Sequence, residues 1–482
     1  MPEQDTGSSS QAGATPALEN PIFITLVIAA AFFMELFDST VIVTALPTMA
    51  HDFNTSIVAL SLGLTAYMLS TAVLLPASGW IADRYGTRTV FCTATAIFVL
   101  SSIWCGLSRG VNEFVLARCV QGIGAALMSP VGRLVVLRAT PKEQLVRVMN
   151  LMVVPALIGP VLGPSVGGLI TTYASWRWCF FINVPIGLTI LYLVYRHSPN
   201  LRSEDHHDFD YRGFALNALC LSGLIYGMNQ LAEQWPGNPL SLSLIALGVV
   251  LAWFAVRHAN HATQPLVSLR ALDIHSFKVS VLTGGGVFRL AMAGPIFLMP
   301  LMFQVGLGMS AFLSGMMILT HTGGDLLTKI FTQRFLNWAG FRRAFISTTV
   351  VFVSSLALCA CFTTATSYWW IGLVLFIAGS ARSLQMSAQN SLQFADVTYE
   401  QMTDASTLAG IIQQVQRAMG VTLGAIVLNF AVSLRGDITH TLTQFDFQVG
   451  FAVMSVLGLA SMLWFLPLPK TMGAHLLGDK KK

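Results

Sequence analysis

The sequence predicts an all-α polytopic membrane protein, from an apolar surplus, the length of its apolar runs and a one-sided distribution of basic residues. Of 482 residues, 54% are hydrophobic and only 10% charged, with a mean hydropathy of +0.67. No soluble domain of this size has a core that buries so much apolar surface. The runs are about 18 to 28 residues long, enough for helices that cross a bilayer and unlike the alternating ten-residue strands of an outer-membrane barrel.

Fourteen runs are predicted, at 21–45, 57–81, 89–108, 113–137, 147–171, 179–195, 213–231, 239–256, 279–303, 311–333, 344–364, 368–393, 405–431 and 447–467. Alternate connections carry eighteen Lys and Arg, among them Arg84, Arg88, Arg138, Arg196, Arg257, Arg342 and Arg343, whereas the opposite set holds only Arg109, Arg177 and Arg435. Positive charges near membrane helices are retained in the cytoplasm, so both termini are expected there, which requires an even number of spans. Residues 1–20 are Ser/Ala/Gln-rich and acidic without Lys or Arg. They read as a disordered tail rather than a cleavable signal, which would begin with a basic segment.

Several classes drop out. The seven cysteines fall within predicted spans and read as small core residues, not as a disulfide framework or metal site. Gly284-Gly285-Gly286 lacks the Lys-Ser/Thr of a phosphate loop, so no enzyme or nucleotide-driven pump is indicated. The linker with Glu204, Asp205, His206, His207 and Asp208 reads as a solvated loop with no second ligand cluster. The pI near 8.9 comes from basic loops and does not indicate nucleic-acid binding.

The first run holds Glu35-Leu36-Phe37-Asp38-Ser39-Thr40, two carboxylates one helical turn apart. The other charges expected inside spans are Asp325, Arg118, Arg133, Arg289, Lys329, Arg382 and Arg417. Each costs on the order of 2.5–3.5 kcal/mol in hydrocarbon, so each should face a partner or a watery cavity. Counting about 1.5 Å per residue from the span ends puts Asp38 and Arg118 at one depth, roughly 10 Å in, with Glu35 a turn deeper on the same face. Burial favours the neutral form of such an acid, and an approaching arginine or cationic substrate favours the ionised form. Proton and substrate would then compete for one site; the alternative is a fixed Asp38–Arg118 pair that only ties two helices together. In the second half Arg289, Arg382 and Arg417 lie near mid-depth, and Asp325 can neutralise one of them at a time. They either make a cavity cationic, with Gln385 and Gln389 beside them, or bond to carbonyls and polar neighbours such as Asn390 and Gln416.

Four motifs follow in order. After the second span comes Gly79-Trp80-Ile81-Ala82-Asp83-Arg84-Tyr85-Gly86-Thr87-Arg88, where Gly79 is expected to let helices approach and Asp83, Arg84, Gly86 and Arg88 to form a cytoplasmic latch. The fourth span holds Arg118-Cys119-Val120-Gln121-Gly122-Ile123-Gly124-Ala125-Ala126. The fifth holds Gly159-Pro160-Val161-Leu162-Gly163-Pro164-Ser165-Val166-Gly167-Gly168, whose small residues every fourth position permit close packing and whose prolines permit bending. The last is Trp176-Arg177-Trp178-Cys179-Phe180-Phe181-Ile182-Asn183-Val184-Pro185.

These runs resemble the motifs of the major facilitator superfamily and, with fourteen spans, its fourteen-helix drug:proton antiporter branch; the resemblance covers Pro21 to Pro469. It implies a six-helix bundle at 21–197, a linker with two inserted helices at 198–262, a second six-helix bundle at 263–469, and tails at 1–20 and 470–482. It also implies Asp38 as the coupling acid, an antiporter motif at Gly159, Gly163, Pro164, Gly167 and Gly168, and no cofactor beyond a proton gradient. Val43 stands where the branch usually has asparagine, and Glu35 is an acid outside its pattern. Gly340-Phe341-Arg342-Arg343 echoes Gly86-Thr87-Arg88 as a degenerate internal repeat.

The expected function is proton-coupled export of small amphipathic compounds across a bacterial inner membrane, by alternating access around a midplane cavity. Its partners are a small-molecule substrate and the lipid bilayer, with a monomer sufficient and an accessory export partner conceivable. A dedicated metabolite or organic-anion transporter, and a membrane sensor that has lost transport, are the alternatives.

Overall fold

The computed structural model describes residues 21–140, 145–202, 208–233, 238–262, 265–398, 401–436, 442–469 and 471–473. The expected tail at 1–20 and the linker acids and histidines from Glu204 to His207 lie outside them. The long helices are α1 (Pro21–Val41), α2 (Ile57–Leu74), α3 (Thr87–Leu107), α4 (Val111–Ala139), α5 (Leu145–Tyr173), α6 (Asn183–His197), α7 (Tyr211–Glu233), α8 (Pro239–His261), α9 (Gly284–Leu301), α10 (Ala311–Lys329), α11 (Thr332–Cys359), α12 (Tyr368–Leu392), α13 (Met402–Leu434) and α14 (Gln444–Ala460). Among the described residues eleven helical segments are long and apolar enough to cross a membrane.

Glycine and proline cut several predicted runs. The second is interrupted by a 3-10 turn at Leu75–Ala77, where Pro76 denies the backbone a donor, and resumes as Ser78–Tyr85. The ninth breaks between His275–Val281 and α9, just before the three glycines. Ahead of the eleventh predicted run, α11 contains a kink at Gly340, whose φ of +71° and ψ of 161° suit glycine. Gly86, with φ +94° and ψ 140°, makes the equivalent break before α3. Cys361 departs from the expected core role, because α11 ends at Cys359 and leaves Cys361 exposed.

The packing repeats with an offset of eight helices. In the first half α1 packs on α5 and α6, α4 on α2 and α3, and α3 on α6; in the second α9 packs on α13 and α14, α12 on α10 and α11, and α11 on α14. The halves meet through α5 against α10 and α2 against α13, pairs that the repeat interchanges. The helices α7 and α8 form a hairpin whose first member lies against α2 and α13.

Close packing of α1 on α5 follows from the glycine stripe. A Cβ on Gly159 would sit 3.0 Å from Phe33 O, one on Gly163 2.1 Å from Thr40 Oγ1, and one on Gly167 2.4 Å from Val41 O. A Cβ on Gly168 would point the other way, 2.2 Å from Ala311 O at the start of α10. The same helix is therefore pressed against its own half and against the other.

Candidate functional site

Asp38 is fully buried, and so is Arg118, whose Nη1 donates to Asp38 Oδ2 at 2.6 Å. Asn183 Nδ2 and Gln121 Nε2 both donate to Asp38 Oδ1, at 2.7 and 3.0 Å, and Gln121 also donates to Ser102 Oγ at 2.7 Å. The Arg118 guanidinium lies 4.3 Å from the ring centroid of Tyr67. Arg118 and Gln121 of α4 and Asn183 of α6 thus meet the carboxylate of α1, while Tyr67 of α2 and Ser102 of α3 touch these partners rather than the acid. Depth matching found the Asp38–Arg118 pair. It missed the amides: Gln121 and Asn183 sit in the quoted motifs, and their signal was a polar side chain within an apolar run, where an unpaired amide is costly.

Glu35 is placed differently. It is half-buried and accepts a hydrogen bond from Ser129 on α4, and the cations in electrostatic range are Arg133 and Arg417. Arg417 belongs to α13 in the second half, is exposed and carries no ion pair among the described residues. Glu35 and Arg417 therefore lie within electrostatic range of one another across the two halves. Arg133 is exposed beside the Phe32 ring at 5.9 Å, and Lys329 is exposed at the end of α10.

The other expected residues separate. Arg289 donates to Ser280 O and Asn390 Oδ1, both at 3.3 Å, so it is tied to a carbonyl and a polar neighbour. Arg382 pairs with Asp325. Gln385 is fully buried and bonds to Thr348 and Thr349 of α11, whereas the fully buried amide of Gln389 has neither atom paired. A cavity of about 680 Å³, counting its open mouth, lies between the halves; Thr40, Pro164, Pro295, His321, Phe352 and Arg382 are among its lining. Of Glu35, Arg289, Arg382, Gln385, Gln389 and Arg417, all expected to line a substrate cavity, Arg382 lines this one.

The loop motif works through different atoms than expected. A Cβ on Gly79 would meet nothing within 4 Å, so close helix approach is not its role. Gly86 is the crowded position, where a Cβ would fall 2.3 Å from Asn200 Oδ1. Beside it Thr87 N donates to Leu201 O at 3.0 Å, Thr89 N to Asn200 Oδ1 at 3.2 Å and Arg88 to Ser198 O at 3.4 Å. The latch therefore fastens the start of α3 to the segment leaving α6. Arg84 instead lies 5.4 Å from the Trp80 ring, which packs against Phe209 at 4.7 Å.

Among the described residues no group of three or more His, Cys, Asp or Glu could hold a metal ion. The family model described as Major Facilitator Superfamily matches residues 28–421. A protein of Escherichia coli O157:H7 carrying the name multidrug resistance protein MdtD is 33% identical over 457 residues, 94% of each chain. Among solved structures, an auto-inhibited POT family peptide transporter has a TM-score of 0.68 at 14% identity, covering 96% of this chain and 98% of its own. The xylose transporter XylE from E. coli, in a partially occluded inward-open conformation, has a TM-score of 0.59 at 15% identity, covering 93% and 98%.

Proposed function

This chain belongs to the Major Facilitator Superfamily, a multi-pass transporter of the bacterial inner membrane, and we propose that it is a proton-coupled antiporter exporting small amphipathic compounds of the multidrug type. It performs no chemistry on its substrate and takes no cofactor, the proton gradient being the energy source. In this reading the chain has fourteen spans with both termini in the cytoplasm, the side that the basic loops favour, and bundles at 21–197 and 263–469 rock about the inserted segment 198–262. The monomer is the transport unit, and an accessory partner could extend the path.

The observation that carries this reading is the contrast between two acids one turn apart. Asp38 already accepts three hydrogen bonds in a sealed network, while Glu35 accepts one and is only partly buried, with Arg417 of the other half in electrostatic range. Glu35 is then the carboxylate that meets protons or substrate, and the Asp38–Arg118 network couples its state to the packing of five helices. A buried ion pair with one member removed is strongly destabilised, so a change of charge at Asp38 or Arg118 is felt by every side chain bonded to them. The test is substrate flux in proteoliposomes under an imposed pH gradient. Asp38→Asn should insert normally and lose gradient-driven export; wild-type flux by that variant would overturn the coupling role.

A further inference from the structure

The cavity between α1, α5, α9, α10, α11 and α12 contains chemistry that the coupling acids do not use. Most of its wall is apolar, built from residues such as Met292, Pro295, Met299 and Phe352. Its basic groups are confined to one end, where Arg382 of α12 and His321 of α10 lie. Arg382 donates through Nη2 to Asp325, one helical turn beyond His321, and its buried Nε has no hydrogen-bond partner. A guanidinium offers five N–H donors in a flat fork, so a carboxylate on one edge leaves the other available to a second planar oxyanion.

The charges around this end do not cancel. Within electrostatic range of Asp325 are Arg382, Lys329 and His321, so two permanent cations stand against one carboxylate. A cationic ligand would enter against this surplus, and an anion would reduce it. Thr40 and Thr44 on the opposite wall donate to their own helix, at Leu36 O and Val41 O, and present only acceptor capacity to the cavity.

We propose that this cavity is a carboxylate subsite, in which Arg382 and His321 hold the carboxylate of an amphipathic organic acid while the methionine and proline walls of α9 take its apolar body. The assignment rests on reading the chain as a transporter of amphipathic compounds and names their class. It requires no gradient, so equilibrium binding tests it independently of proton coupling.

The experiment measures binding of radiolabelled 2-naphthoate, 2-naphthamide and 2-naphthylmethylammonium to the purified full chain in lipid nanodiscs. The acid should bind at least about ten-fold more tightly than either matched probe, the worth of one charge-assisted hydrogen-bonded pair. Arg382→Gln combined with Asp325→Asn, which leaves no unpaired acid, should erase that preference and change amide binding less than about three-fold. His321→Gln should weaken the acid several-fold. If the double variant does not fold, Arg382→Lys keeps the charge but loses the fork, and acid affinity should fall about five-fold. Failure of the acid to bind, binding no tighter than the amide or the ammonium, or a preference that survives the Arg382 variants would each overturn the subsite. Loss of acid selectivity with gradient-driven export intact would reject the subsite and leave the antiport reading standing.

Discussion

Gly163 of α5 stands so close over Thr40 of α1 that a Cβ on the glycine would fall 2.1 Å from the threonine hydroxyl, two residues from Asp38. Gly163→Ala should therefore force the helices apart and lower stability by about 1–3 kcal/mol, the usual range for overpacking. Gly167→Ala, facing the Val41 carbonyl at 2.4 Å, meets backbone that cannot rotate away and should cost at least as much. Gly79→Ala, with open space around it, should be neutral or slightly stabilising through helix propensity. Thermal unfolding of the three variants in one detergent checks the order.

The Asp38–Arg118 pair predicts strong non-additivity. Arg118→Gln leaves a sealed carboxylate facing only amides and should cost about 3–5 kcal/mol. Adding Asp38→Asn removes the stranded charge, so the double variant should be more stable than the sum of the single losses predicts by at least about 1 kcal/mol. A double-mutant cycle read by denaturation midpoint measures this. Additive losses would mean that the two side chains do not act as a unit.

Gly86 and Gly340 occupy a backbone region open essentially to glycine, at φ +94° and +71°. Alanine at Gly340 should cost about 1–3 kcal/mol from strain alone, since nothing lies within 4 Å of its Cβ. Alanine at Gly86 adds a collision with Asn200 and should cost more. In Gly86→Ala, Asn200→Ala the excess should vanish, leaving two similar penalties in thermal unfolding.

Outside the membrane helices, Asp210 ties the start of α7 to the end of α8. It accepts from Gly213 N at 2.8 Å, His258 Nε2 at 2.8 Å and Leu266 N at 3.2 Å. Partial burial works against the charged form, but these bonds outweigh it and hold the carboxyl below its usual range. A carboxyl depressed in the folded state stabilises above its unfolded value, about 3.9, and loses that contribution as pH falls through the lower folded value. The stability gap between wild type and Asp210→Asn should narrow as pH falls below about 4. A gap that widens on acidification would reverse the assignment.

Legibility from sequence followed the physics of each signal. The Asp38–Arg118 pair was readable because hydrocarbon makes any charge expensive and helix rise converts residue number to depth. The amides of Gln121 and Asn183 carry no net charge, so no such bookkeeping singled them out. The glycines of α5 were readable as a spacing, but only their neighbours show that three face α1 while Gly168 faces α10. Gly79 and Gly86 stand seven residues apart in one motif, and which of them is crowded depends on Asn200, more than a hundred residues away. Gln385 and Arg382 share a helix three residues apart, yet one faces α11 and the other the cavity, a rotation that periodicity leaves free in a helix apolar on most sides.

The two-sided glycine face of α5 has a mechanical consequence. Gly163 and Gly167 mesh with α1, so these two helices cannot slide independently and behave as one rigid lever. A Cβ on Gly168 or Gly315 would fall 2.2 or 2.4 Å from the facing backbone of α10 or α5, so only glycine lets these helices meet there, which makes that contact the fulcrum. Any displacement of α10 near His321 is then delivered to the helix bearing Glu35 and Asp38 as a tilt of the whole lever, without a relay of side-chain rearrangements between them.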